Sequence, residues 1–443
     1  MKRIYAILSL IMFFQLLVSQ TERPIVRKEP WLIYKGETDK MNILWQTNEF
    51  VVCNISWGID TSYSSGNQDI FAYTYDFLYN FEFTELTPGT EYFYHLEMNG
   101  AEFASSFFSA PGDNASSLNF FTYSDCQYYP AIHDVIASHI LNTADEDDSY
   151  KSLIVAAGDL VDQGNMETHW DSLFFADDAD FVRSMVGQMP FFSCIGNHEQ
   201  SGDLFVKYFP YPFIQDRYYS FDYGPVHFSI LDQFGVFGSF PDQVEWLEDD
   251  LATTDKDWKI IYLHSPGYTT GRHSNNQDVQ NYIQSLCLEY NVRLVIGGHN
   301  HLYARAEVDG IVHITTGGAG ANLYTPDPND PFIIFTEAVY HYCKVNISDN
   351  LLTLTAFTLD NEILDSFTIN NIPTPQITYV NTGNDRVYIG WNELEFADEC
   401  FVYSSDNQET GYQIDNTGIY MHNSWSAPVS ETERFYIIKA VRN

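Results

Sequence analysis

Five short apolar runs lie between residues 120 and 296, and each stops at residues suited to metal ligation. Phe120 to Tyr123 leads into Asp125-Cys-Gln127, and Leu153 to Ala157 into Gly158-Asp-Leu-Val-Asp-Gln-Gly164. Phe191 to Ile195 leads into Gly196-Asn-His-Glu199, Ile260 to Leu263 into His264, and Leu294 to Ile296 into Gly298-His-Asn-His301. Short apolar runs of this kind read as buried strands. Between them Val244, Leu247 and Leu251 keep helical spacing, as do Val279, Ile283, Leu286 and Tyr290. The alternation predicts an α/β domain of stacked sheet and helix layers, with its site at the carboxyl ends of strands. One histidine near a strand end usually belongs to the core or the surface. Such endings in unbroken succession point to a site.

On both sides the texture is different. Residues from about 21 to 112 are rich in β-branched and aromatic residues with turn signals between short runs, and they predict a β-sandwich. Asn42 to Trp45 is one strand-like run, Trp57 ends another, and Leu86-Thr-Pro-Gly-Thr-Glu-Tyr92 leads into a third. That last segment resembles the tyrosine corner of fibronectin type III sandwiches, in which Tyr92 would bond back across the corner. From Pro373 onward the strands return, with Arg386 to Trp391, Phe401 to Ser404 and Phe435 to Val441. This second β module also looks fibronectin-like and is expected to serve binding or anchoring, to a surface or a carbohydrate. Asp145-Glu-Asp-Asp148 reads as a solvated loop.

The chain carries 60 Asp and Glu against 21 Lys and Arg, a formal net charge of -39. Such a surface repels nucleic acid and anionic membranes, so neither is an expected partner. The same acidity serves solubility and attracts metal cations. Met1, Lys2 and Arg3 precede the apolar stretch Ile4 to Val18, then Ser19 and Gln20. This is the layout of a secretory signal peptide over 1–20, too short for a spanning helix, so a secreted or periplasmic protein is expected. Asn54, Asn114 and Asn346 head Asn-x-Ser sequons, which matter only in a eukaryotic host. The six cysteines are widely spaced with no CxxC pair; Cys126, Cys194 and Cys343 read as buried small hydrophobes.

The order Asp, Gly-Asp, Gly-Asn-His, His, Gly-His-x-His, with Thr316-Gly-Gly-Ala-Gly320 following, resembles the metallophosphoesterase superfamily. The N-terminal sandwich points to its purple acid phosphatase-like branch, and the resemblance covers residues from about 30 to 370. It implies a multi-domain α/β (α+β) chain, with a layered α/β/β/α sandwich flanked by N- and C-terminal β-sandwiches. The expected division is 21–112 for the fibronectin III-like sandwich, 113–372 for the catalytic domain and 373–443 for the C-terminal β-domain.

The resemblance also implies two metal ions, iron, zinc or manganese. Asp125, Asp159 and His301 would hold the first, Asn197, His264 and His299 the second, with Asp159 bridging. Carboxylates, imidazoles and a neutral amide oxygen suit such a pair. A metal-bound hydroxide would attack phosphorus directly, with His198 protonating the leaving oxygen or stabilising the transition state and His273 contacting substrate. Two positions depart from the pattern. Purple acid phosphatases carry a ferric-ligating Tyr where this chain has Asp162, and the wider superfamily usually has His where this chain has Gln127. Gln127 is therefore expected either to ligate through its amide oxygen or to support the ligands from behind.

Hydrolysis of phosphate monoesters, acting on a small phosphorylated substrate, is the expected function. The same metal pair also serves phosphodiesterases acting on nucleotides or phospholipid head groups. A non-catalytic surface binding protein is the alternative from a different class, and the near-complete ligand set opposes it.

Overall fold

The computed structural model describes residues 26–112, 116–214, 217–234, 240–327, 329–371, 375–394, 399–407, 412–430 and 434–441. The signal-peptide reading and the Asn114 sequon lie outside the described residues. Two compact units emerge: one runs to Asp349 and takes in Thr353–Phe367, the other holds Asn350–Leu352 and the chain from Thr368. Among the described residues, no helix is long and apolar enough to cross a membrane.

The first unit opens with two antiparallel sheets. Val26–Ile33, Met41–Thr47 and Leu78–Phe83 form one of them, and Gly66–Ile70, Cys53–Gly58, Glu91–Met98 and Ala101–Ser109 the other. Trp45 links them, reaching the Cys53 sulfur with its indole N–H at 3.3 Å and the Phe103 ring at 6.5 Å. The Tyr92 hydroxyl accepts from the Thr87 N–H at 3.0 Å, the bond across the corner that the sequence suggested.

The centre holds two mixed sheets. The first runs in the order Phe191–Ser193, Ile154–Ala156, Ser117–Tyr123, His341–Ser348, and is completed by Leu351–Thr358 and Ile363–Asn370. The second runs Tyr219–Tyr223, Val226–Ile230, Trp258–Tyr262, Leu294–Gly297, Ile311–Thr316, Tyr303–Val308, Ile333–Glu337. Aromatic side chains join their facing surfaces, with Phe192 stacked on Phe221 at 3.9 Å and Phe120 edge-on to Phe228 at 5.4 Å. Outside the second sheet, Leu247 and Leu251 of the helix Phe240–Thr253 and Val279, Ile283 and Leu286 pack into one apolar cluster with Ile261, Leu263 and Val295.

The strand containing each predicted run is present, and the strands leading to the motifs pair in parallel within their own sheets. The sequence reading missed the longest helix, Pro130–Glu146. Proline at its first turn costs no helical hydrogen bond, and His133, Ile136, Ala137, Ile140, Leu141 and Ala144 form its buried face. This corrects the reading of Asp145 to Asp148 as a loop: the helix continues through Glu146, and the Asp147 carboxylate caps a following 3-10 turn by accepting from Ser149 N–H.

The second unit has a four-stranded sheet (Ile377–Gly383, Arg386–Trp391, Ser424–Pro428, Ile419–Met421) and a three-stranded one (Gln413–Ile414, Glu399–Ser405, Phe435–Val441). Its core is built on Val387, Ile389, Trp391, Val402, Trp425 and Ile438.

Candidate metal centre

Five turns, each leaving the carboxyl end of a strand, converge where the two central sheets meet. Asp125, Asp159 and the Gly196-Asn-His-Glu199 turn come from the first sheet, His264 and His299 from the second. Asp125, Asp159 and His299 have positive φ, at 61°, 55° and 67°. Side chains other than glycine seldom adopt this region, and such strain persists where surrounding structure enforces it. Here the enforcement is visible. Glu199, fully buried, accepts from the backbone N–H of Gly196 at 2.7 Å, Leu160 at 2.8 Å and Asp159 at 2.9 Å. The Asp159 carboxylate accepts from His198 N–H at 2.8 Å, and Asp125 from His299 N–H at 3.0 Å. Gly196 and Gly298 leave room for these carboxylates, since a Cβ at either would overlap Asp159 or Asp125.

The donor atoms form two groups that share a residue. Asp125, Asp159 and His301 make one, Asp159, His264 and His299 the other, and within each the ligand atoms lie within 4.8 Å of one another. His264 donates from Nδ1 to the Ala157 carbonyl at 2.7 Å, and His301 from Nδ1 to the Asn322 carbonyl at 2.8 Å. A carbonyl can only accept, so each neutral ring turns its Nε2 lone pair inwards. His264 Nε2 lies 3.1 Å from the Asp159 carboxylate, and His301 Nε2 lies 3.4 Å from that of Asp125. Lone pairs facing carboxylates at these distances call for a cation between them. His264 Nε2 and the Gln127 Oε1 are both buried without a hydrogen-bond partner among the described residues, as expected of a donor set shaped for metal. Gln127 Nε2 is 3.3 Å from His301 Nε2, and half a turn of the amide exchanges its oxygen and nitrogen.

With no metal between them, the carboxylates draw a proton onto the imidazoles in its place. Burial works against a charged His264, but Asp159 and Asp125 overcome it and raise the imidazole to about 10. Asp125 is held below the usual carboxylate range, against its burial, by His301 and His264. His299 is pushed down to about 3 by burial and by His264 and His273.

The other predicted residues surround this cluster. His198 donates from Nδ1 to the Asp162 carbonyl at 2.6 Å and has Nε2 4.0 Å from the Asp159 carboxylate. His273 stacks on His299 at 3.9 Å. Asn197 is exposed in the turn beside His198. Three residues given no role by the sequence reading also belong here. Glu199 and Asn300 stood inside the motifs; Asn300 accepts from the His273 N–H at 2.8 Å and donates to its carbonyl at 2.9 Å. Tyr324 lies outside every motif and stacks on His301 at 4.1 Å. The cysteines are free, and all but the half-buried Cys400 are buried.

Residues 118–303 match the calcineurin-like phosphoesterase family. Purple acid phosphatase 22 of Arabidopsis thaliana is 26% identical over 295 residues, covering 60% of this chain and 64% of that protein. The chain thus carries a calcineurin-like phosphoesterase domain, and its similarities lie with the purple acid phosphatase-like branch of the metallophosphoesterases. The phosphoenolpyruvate phosphatase of Allium cepa is 24% identical, over 58% of each chain, so less than two thirds of either relative is matched. The purple acid phosphatase of yellow lupin seeds shares the fold, with a TM-score of 0.64, 20% identity and coverage of 78% of this chain and 75% of that one. This metallophosphoesterase fold, with its flanking β-rich parts, is the expected multi-domain α+β class.

Proposed function

We infer that this protein is an exported, metal-dependent phosphatase that hydrolyses phosphate monoesters with residues of its 113–372 segment. The observation that carries the reading is the pair of three-residue donor groups hinged on Asp159. In it Asp125, Asp159 and His301 would hold one cation and Asp159, His264 and His299 the other, with Asn197 and Gln127 able to offer amide oxygens. Two bound cations would neutralise a phosphoryl group between them and acidify water beside it.

The chain's own residues supply the rest. His198 is anchored through Nδ1 at the Asp162 carbonyl. That leaves Nε2, on the side of the cluster, to carry a proton to the departing alkoxide. His273 is fixed by Asn300 through both backbone groups, so its ring can donate to a phosphoryl oxygen with little loss of freedom. The inward lone pairs of His264 and His301 are fixed by the carbonyls of Ala157 and Asn322. The fibronectin III-like reading of the N-terminal β-sandwich is supported by the Tyr92 bond, and export by the pattern of residues 1–20.

The test is metal analysis of the purified chain together with hydrolysis of 4-nitrophenyl phosphate and bis(4-nitrophenyl) phosphate. About two metals per chain and faster monoester cleavage support the reading. Faster diester cleavage would make it a phosphodiesterase, and neither metal nor activity would refute both.

A further inference from the structure

Among the described residues, Arg272, beside the metal centre, has no acidic partner. Arg27, Arg183, Arg217, Arg305 and Arg434 each pair with a carboxylate. Arg272 is exposed, and its charge instead faces the Tyr324 ring, 5.5 Å from Cζ to centroid. In a chain with 60 acidic side chains, an arginine left free of them at the mouth of a site is a ready receptor for an anion from outside.

Its position ties it to the reacting centre twice. Tyr324, beneath the guanidinium, stacks on His301 at 4.1 Å, and His273, the next residue, stacks on His299 at 3.9 Å. The backbone that presents it is clamped. Asn300 holds both backbone groups of His273, the Thr269 N–H donates to Asn275 Oδ1 at 2.8 Å, and the Asp327 N–H donates to Thr270 Oγ1 at 2.8 Å. A cation presented from a held loop gives up little further freedom on binding. The net charge of -39 repels an anionic substrate, and repels one with two acid groups more strongly.

We propose that Arg272 binds a second anionic group, a carboxylate or a phosphate, carried on the leaving-group side of the ester, so that substrates with such a group are preferred. This rests on the phosphatase reading above. The guanidinium supplies two parallel N–H donors to the second group while the phosphoryl group lies at the cluster.

The experiment compares 2-phosphoglycolate with 2-hydroxyethyl phosphate on the zinc-loaded full chain, with Arg272→Gln and Arg272→Lys beside it. The kcat/KM ratio of acid-bearing to neutral ester should exceed one. It should fall by about tenfold or more in Arg272→Gln, the scale of a lost charge-assisted hydrogen bond, mainly through KM. Arg272→Lys should recover part of it. A ratio unchanged in Arg272→Gln overturns the proposal. Calorimetry with pyrophosphate and orthophosphate separates this from failure of the phosphatase reading. The wild-type chain should bind pyrophosphate more tightly and Arg272→Gln should narrow that gap even if no ester is turned over; an equal gap in both refutes the role of Arg272.

Discussion

Replacing Glu199 with Gln should cost the metal-free protein about 3 kcal/mol and weaken its hold on metal. One carboxylate oxygen accepts from Asp159 and Gly196 N–H and the other from Leu160 N–H. An amide has a single acceptor. With its oxygen towards Asp159 and Gly196, its NH2 group meets the Leu160 N–H, donor against donor. Losing a buried hydrogen bond to a charged group costs roughly 1.5–3 kcal/mol, and the orphaned donor about 1–3 more. Part of this is offset, because burial and then the charge of Asp159 already raise Glu199 to about 7. Urea unfolding in the presence of a chelator measures the loss by linear extrapolation, and metal analysis after dialysis measures retention. A loss below about 1 kcal/mol with wild-type metal content would refute the view that Glu199 holds the Asp159 turn in its left-handed conformation.

Asp159→Asn should remove most of the metal and the activity while the chain stays folded by circular dichroism, and full activity in that variant would sink the bridging role. His227, between Asp222 at 2.7 Å and Asp250 at 2.9 Å, is raised to about 9 against its burial by those two carboxylates. Its folded value lies above the unfolded one, so the stabilisation is complete below about pH 6.5 and lost as pH rises through 9. His227→Gln should therefore destabilise by about 2 kcal/mol at pH 6, discounted for the half-exposed Asp222, and by much less at pH 10; equal effects at both would refute it. Iron-loaded, oxidised protein should be pale, because Asp162 stands where purple relatives carry Tyr and nearby phenols are engaged elsewhere. Tyr123 bonds His133, and Tyr129 bonds Asn322. An intense visible band lost on Tyr128→Phe or Tyr324→Phe would show otherwise.

The strand ends were legible because a short apolar run followed by Asp or His is a local signal, and Asp125, Asp159, His264, His299 and His301, which it marks, do meet. Glu199 gave no such signal: its task is to bind backbone N–H groups, which leaves no spacing to read. Tyr324 was hidden for a similar reason, since a ring stacked on His301 is contributed by a segment with no motif of its own. The helix Pro130–Glu146 was within reach, with Ile136, Ala137, Ile140, Leu141 and Ala144 at helical spacing. Its acidic end drew the eye to a solvated loop instead. Least legible were contacts between distant stretches, such as Arg27 with Asp171, which only folding brings together.

Those distant contacts bear on how such a chain can evolve. Arg27 and the buried Lys28 reach Asp171 and Glu167, Lys207 reaches Asp76 and Glu167, and the Trp31 indole donates to the Tyr208 carbonyl at 2.8 Å. The segment they grip leads from the Asp159 motif, where Gly164 N–H donates to the His198 carbonyl and the Trp170 indole to the Gly164 carbonyl. The amino-terminal sheets are thus no detachable cassette. A lineage that exchanged them for another adaptor would have to rewrite Glu167, Asp171 and Lys207 at the same time, or leave charges stranded along the segment that follows Gly164, whose N–H meets the His198 carbonyl.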